Sequence, residues 1–185
     1  MKGWSITFLC VIVGFMVAAG LREVEDSGAK EKIVELKLKA GLLPLEGEGI
    51  IVKLEDSTRA AIVGENPNLY VIHDEDILRV VNELRAAGAE AISINGQRLI
   101  GTSEIRCAGP TLSVNNVRSA APFEISAIGD KKALENSVKM RGGVKDTLNV
   151  WGIRLEIETS DEVYIPPYTG EFRHVYSRVV AEMRD

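Results

Sequence analysis

The sequence predicts an α+β domain, a ferredoxin-like or ACT-like sandwich with additional β-hairpins, preceded by one N-terminal transmembrane helix. Three observations lead there. Apolar, β-branched runs and two helical stretches follow the order β, α, β, hairpins, β, α, β, β, which suits one sheet with helices packed on a face. The turn pairs Asn95-Gly96 and Asn115-Asn116 separate short runs of alternating hydrophobicity, as hairpins require. Residues 4–21 contain no charge at all.

That first segment, WSITFLCVIVGFMVAAGL, follows Lys2 and precedes Arg22, Glu23, Glu25 and Asp26. As a helix it spans roughly 27 Å, close to the hydrocarbon thickness of a bilayer. Small residues at Val17, Ala18 and Ala19 also suit signal-peptide cleavage. The run exceeds a usual signal core, so residues 1–22 are expected to be a permanent anchor. The positive end stays in the cytoplasm and the remainder is exported. This places the protein in the cell membrane, single-pass, with an extracytoplasmic domain.

Residues 23–43 form a linker, with a short helix over 31–40 that ends at Gly41. The exported domain occupies residues 44–170. Residues 49–55 (GIIVKLE) read as a strand, and 56–69, with Asn66-Pro67-Asn68, as a loop. Residues 74–87 are the clearest helix. Ile77, Val80, Val81 and Leu84 follow i, i+3, i+4, i+7, and Asp74, Glu75 and Asp76 meet the positive end of the helix dipole. Gly88 ends it.

Residues 90–95 read as a strand that Asn95-Gly96 turns back toward 98–100. Residues 111–114 and 117–119 form a second hairpin, and 123–128 another strand. A helical region follows Gly129-Asp130 and runs to about 150, broken at Gly142-Gly143. Residues 154–157 and 163–165 are expected to close the domain as a hairpin around Ser160-Asp161, stopped by Pro166-Pro167. Residues 171–185 are expected to hold a tail helix, over 171–183.

The composition excludes several functions. The chain has 22 basic and 27 acidic residues, a net charge of −5, and no basic face for phosphates, so nucleic acid is not an expected partner. Cys10 lies in the apolar segment, which leaves Cys107 as the one thiol of the exported part. An internal disulfide is thereby impossible, and the domain depends on its core. With two histidines and no Cys/His cluster at ligand spacing, neither a metal nor a cofactor is expected.

Two groups of residues are candidate sites. Asn95, Gly96, Gln97, Arg98, Ser103 and Arg106 form a polar stretch between strands. It suits a recognition surface on which Arg98 and Arg106 face an anionic partner, and it also suits plain hairpin chemistry. His73, Asp74 and Asp76, with Glu75, are the densest polar group. They could bind a hard cation or serve as acid and base, but helix capping accounts for them better, with Asp74 as the cap. Cys107 follows Arg106, which would lower a thiol pKa. The simpler expectation is a small buried residue at a strand start.

The runs VIHDEDILRVVNELRAAGAEAISINGQRL, EIRCAGPTLSVNN and PFEISAIGD, with AGLLPLEGEGIIVKLEDS before them and VYIPPYTG after, resemble the bacterial domain-of-unknown-function family 881, the YlxW-like proteins. The resemblance covers about residues 40–168. It implies an N-terminal membrane helix, often followed by a coiled-coil stretch, and an origin near cell-division genes. It carries no enzymatic activity or catalytic residues.

The expected function is a membrane-anchored, extracytoplasmic protein-interaction module of the bacterial envelope, linked to cell division or sporulation and not an enzyme. Its partners would be envelope or division proteins, or a second copy. The alternative is a small-ligand sensor of ACT-like type, an expectation that rests on fold analogy. A hydrolase using His73 stands third.

Overall fold

A computed structural model describes residues 28–59, 64–173 and 175–178. The apolar segment 4–21 lies outside them. Among the described residues no helix is long and apolar enough to cross a membrane. The chain divides into two units, Met1–Leu42 and Leu43–Asp185. In the first, residues 28–39 form helix α1, which exposes Ile33, Val34, Leu36 and Leu38. Gly41 follows at φ 73, the left-handed conformation that stops a helix.

The second unit is α+β, as expected. Its strands are β1 (Leu45–Glu55), β2 (Ala91–Ile94), β3 (Gln97–Arg98), β4 (Ile105–Ala108), β5 (Thr111–Val114), β6 (Val117–Ser119), β7 (Phe123–Ile128) and β8 (Arg154–Ile165). Its helices are α2 (Asp74–Ala86), α3 (Lys131–Val138) and α4 (Val144–Val150). Five strands make one sheet in the order β3-β2-β7-β1-β8, and β4-β5-β6 make a second. Every pairing is antiparallel.

The core follows from the alternation along the strands. Ile50, Val52 and Leu54 of β1 and Phe123, Ile125 and Ala127 of β7 point to one face. There they meet Ile77, Val80, Val81 and Leu84 of α2, Leu134 and Val138 of α3, and Val144 and Leu148 of α4. Leu112 and Val114 bring the second sheet into the same core. Burying each such side chain contributes about 1.5–3 kcal/mol. Ala91, Ile128, Val163 and Ile165 form a smaller cluster with Leu45 and Ile51 on the other face.

Both hairpin turns form as the sequence predicts. Asn95, Asn115 and Asn116 all have positive φ (45, 52 and 63), and Gly96 stands at 75. Two expectations are corrected. Residues 154–165 are one strand, not a hairpin, and β8 pairs with β1 from Glu55↔Arg154 to Leu45↔Ile165. The Ser160-Asp161 turn chemistry is spent on a bulge. The register shifts between Gly47 and Gly49, and the Ser160 hydroxyl accepts from the Glu162 N–H at 3.1 Å. Nor is there a tail helix at 171–178, where the described residues are irregular; 179–183 lie outside the described residues.

Candidate functional site

The polar stretch after Asn95 is largely consumed by structure. The Asn95 side chain accepts from the Glu124 N–H at 2.7 Å, Gly96 completes the turn, and the Ser103 hydroxyl accepts from the Ile100 N–H at 2.9 Å. Gln97 is half-buried in β3. Arg98 is corrected outright: it is 5% exposed and faces no partner at the surface. Its Nε and Nη1 are buried without a hydrogen bond, and burial lowers its pKa. Arg106 is exposed, but on β4 in the other sheet. The two arginines therefore do not present one anion-binding face.

The His73 group gains a partner that sequence spacing hides. Cys107, on β4, sits against the start of α2. Its Sγ lies 3.7 Å from His73 Nδ1 and accepts from the Asp74 N–H at 3.4 Å. Asp74 is not the helix cap. His73 holds that position, and its N–H donates to Asp76 Oδ2 at 3.0 Å. Asp74 instead uses Oδ2 to accept from the Cys107 N–H at 2.9 Å, tying helix to strand.

The imidazole is oriented from its far side. His73 Nε2 is 2.8 Å from the Asn68 carbonyl oxygen, which can only accept. In the neutral ring the proton therefore sits on Nε2, and Nδ1 offers its lone pair to the thiol. The loop that supplies Asn68 is pinned at two points. The Ser57 N–H donates to the Tyr70 carbonyl at 2.9 Å, and the Ile72 N–H to Asp56 Oδ1 at 2.9 Å.

A thiol beside an oriented imidazole has the outline of a cysteine nucleophile. The electrostatics point the other way. Loss of solvation raises the Cys107 pKa, and the negative charges of Asp74 and Asp76 add to it. Arg106 does not lower it, and the residue is exposed where a buried one was expected. Cys107 should therefore be alkylated by iodoacetamide at pH 7.5 more slowly than free cysteine. A faster reaction would mean that the helix N-terminus and His73 outweigh the carboxylates.

Asp74 shifts in the opposite sense. The Cys107 N–H holds its carboxyl below the ordinary range. A depressed carboxylate stabilises the fold fully above its ordinary pKa near 4 and ceases to do so as pH falls through the folded-state value. Asp74→Ala should cost about 1–2 kcal/mol at neutral pH. It should also flatten the loss of stability below about pH 4. Thermal unfolding across pH 2–7 measures both.

His73 and Cys107 border a cleft of about 570 Å³. It is lined by Asp56, Asn68, Val71, Ile72 and His73 from the segments before α2, by Cys107, Gly109, Pro110, Thr111 and Leu112 of the β4–β5 hairpin, and by Ala121 and Phe123. Its size is that of a small-molecule site, and its lining mixes polar and apolar groups about equally. No lysine or arginine lines it, and Asp56 brings a carboxylate. The loop carrying Asn68, Val71 and His73 also borders a second depression of about 370 Å³ toward α4. Among the described residues no group of three or more His, Cys, Asp or Glu is placed to hold a metal. Asn68, Asp56 and the β4–β5 turn carry no sequence signal for this site. Cys107 does, but its pairing with His73 spans 34 residues.

The profile of bacterial proteins of unknown function DUF881 matches residues 32–178. The chain belongs to this family. It is 39% identical over 137 residues to the UPF0749 protein YlxW of Bacillus subtilis, covering 74% of this chain and 59% of that protein. It is 30% identical over 146 residues to a UPF0749 protein of Mycobacterium tuberculosis, covering 71% of this chain and 46% of that one. The chain thus spans about half of the length of the curated relatives it matches. A crystal structure of an uncharacterized conserved protein from Mycobacterium tuberculosis superimposes with a TM-score of 0.64 at 26% identity, over 80% of this chain and 99% of that one. The family assignment brings no chemistry with it, so the function rests on the site.

Proposed function

We propose that this DUF881 chain is a small-ligand-binding domain of the bacterial envelope, held outside the cytoplasmic membrane by residues 1–22. The cleft between the Asn68–His73 loop and the β4–β5 hairpin carries the reading. It is pre-formed, of ligand size, and walled by His73, Cys107, Thr111 and Asp56 amid apolar side chains. The absence of a cationic side chain in the lining favours a neutral or cationic ligand with an apolar part over an anion. Cys107, its thiol pKa raised by lost solvation and the nearby carboxylates, serves in this reading as a wall group of a binding cleft. The ferredoxin-like reading of the core has support in the strand order β8-β1-β7-β2, which is fourth-first-third-second among the four strands of a βαββαβ unit. Anchoring rests on the uncharged run 4–21 and the positive-inside rule.

Thermal unfolding in the presence of amino acids, polyamines and nucleosides at millimolar concentration tests the proposal. A ligand at 100 times its Kd stabilises by about 2.7 kcal/mol. The expected result is a rise in Tm of several degrees with one class, reduced by Thr111→Trp, which fills the cleft. No shift with any class, or a shift that Thr111→Trp leaves unchanged, overturns it.

The earlier expectation of a protein-interaction module loses the Arg98–Arg106 surface. It keeps one specific support, the unpaired outer edge of β8.

A further inference from the structure

β8 is the terminal strand of the five-stranded sheet, twelve residues long. Its inner edge is paired with β1 except at the bulge residues Asp161 and Glu162, and no strand among the described residues pairs with its outer edge. An edge of this length, about 40 Å at the rise of a strand, presents a row of free N–H and C=O groups. Natural edges of this kind are either protected or used.

The side chains flanking this edge select what can pair with it. From Arg154 to Ser160 the strand is regular, and the bulge at Ser160–Glu162 bends it beyond that point. One face of the regular part carries Glu156 and Glu158. The other carries Leu155, half-buried Ile157 and Thr159. Lys53 of β1 stands opposite Glu156, but Glu158 stands opposite Ile51 and has no ion pair among the described residues. Asp161 and Glu162 follow in the bulge, where Lys131 pairs with Asp161. The single cation of the strand, Arg154, is already engaged by Glu55.

A second copy of this edge would bring its own four carboxylates and one engaged arginine. Like charges directly opposite one another on paired strands are destabilising. A strand that alternates lysine or arginine with β-branched residues meets both faces. Its cations stand about 5 Å from Glu156 and Glu158, and its apolar residues meet the half-buried Ile157 and exposed Thr159 on the other face. We infer that the outer edge of β8 docks an extended basic segment of a partner protein by strand addition. Main-chain hydrogen bonds supply the affinity and the carboxylates supply the selection.

The test uses the full-length chain in detergent micelles and the fluorescent heptapeptide KVKVKVK. Two control peptides are EVEVEVE and KVKVKVK methylated on alternate backbone nitrogens. The methylated peptide keeps every charge but cannot form a ladder. Saturable binding of KVKVKVK is expected, with at least tenfold weaker binding of both controls. Glu158→Lys should weaken it by about threefold, the size of one cross-strand charge pair. The backbone amides of 154–160 should gain protection from hydrogen exchange. Equal binding of the methylated peptide would reduce the interaction to surface charge and overturn the inference. No saturable binding at all would make the acidic row a guard against pairing, and would overturn it equally. Neither result depends on the cleft, whose ligand is tested separately.

Discussion

Gly49→Ala is expected to abolish folding. A Cβ at this position would lie 1.9 Å from the Ala127 carbonyl oxygen, 2.9 Å from its carbonyl carbon and 3.0 Å from Ile128 Cα. These are backbone atoms of β7, the strand paired with β1 through Gly49↔Ile128. No rotamer change relieves such an overlap. The strands must separate, and β1 is the strand that joins β7 to β8. A domain of this size has about 5–15 kcal/mol of stability in total, and separating its central ladder exceeds that. Insoluble or unfolded protein by circular dichroism is the expected outcome. Gly101→Ala, where a Cβ meets nothing within 4 Å, should stay within about 0.5 kcal/mol of the parent. A folded Gly49→Ala with parental stability would show that β1 and β7 do not approach as described.

Arg98→Met is expected to stabilise the domain. The guanidinium is buried, and two of its nitrogens lack any hydrogen bond. Its desolvation is therefore uncompensated by a carboxylate. Replacing buried ionic groups with apolar ones of similar shape is often neutral to stabilising by 1–4 kcal/mol, and an unpaired charge belongs at the upper end, about 2–4 kcal/mol. Methionine keeps the unbranched stem and fills irregular space. Arg98→Glu should do the reverse, since a buried carboxylate with no cation beside it costs several kcal/mol. Denaturant unfolding of the three proteins measures the order Met above Arg above Glu. A Met variant weaker than the parent by more than 1 kcal/mol would show that the guanidinium contributes an interaction the geometry does not reveal.

Arg98 also illustrates what the sequence conceals. An arginine two residues after Asn-Gly reads as a solvated hairpin charge, because arginine is seldom buried without a partner. Here β3 is only two residues long, and Arg98 pairs with Ser93 of β2, itself buried. Elements with a local cause were legible. The periodic apolar face of α2, the stop at Gly88 and the two asparagine turns each follow from residues a few positions apart. Features with a distant cause were not. Ser160-Asp161 has turn chemistry, and only the length of β1 opposite makes it a bulge rather than a hairpin. The strand expected over 49–55 starts instead at Leu45, with Gly49 inside it, where a Cβ would lie 1.9 Å from the Ala127 carbonyl oxygen.

The site divides the same way. His73, Asp74 and Asp76 stand out in the sequence as an acidic helix start, and His73 with Asp76 forms the cap while Asp74 does not. Of the three only His73 lines the cleft, beside Cys107, which β4 brings there through a hydrogen bond to Asp74. Nothing in the spacing links residue 107 to residue 73.

The cleft beside His73 and Cys107 is expected to bind a small neutral or cationic molecule. Amide and side-chain NMR of the ¹⁵N-labelled domain from Leu43, titrated with amino acids, polyamines and nucleosides, tests it most directly. The account predicts saturable shifts confined to His73, Cys107, Gly109, Thr111 and Phe123 for one of these classes. Shifts centred elsewhere, or none with any of the three, would contradict it.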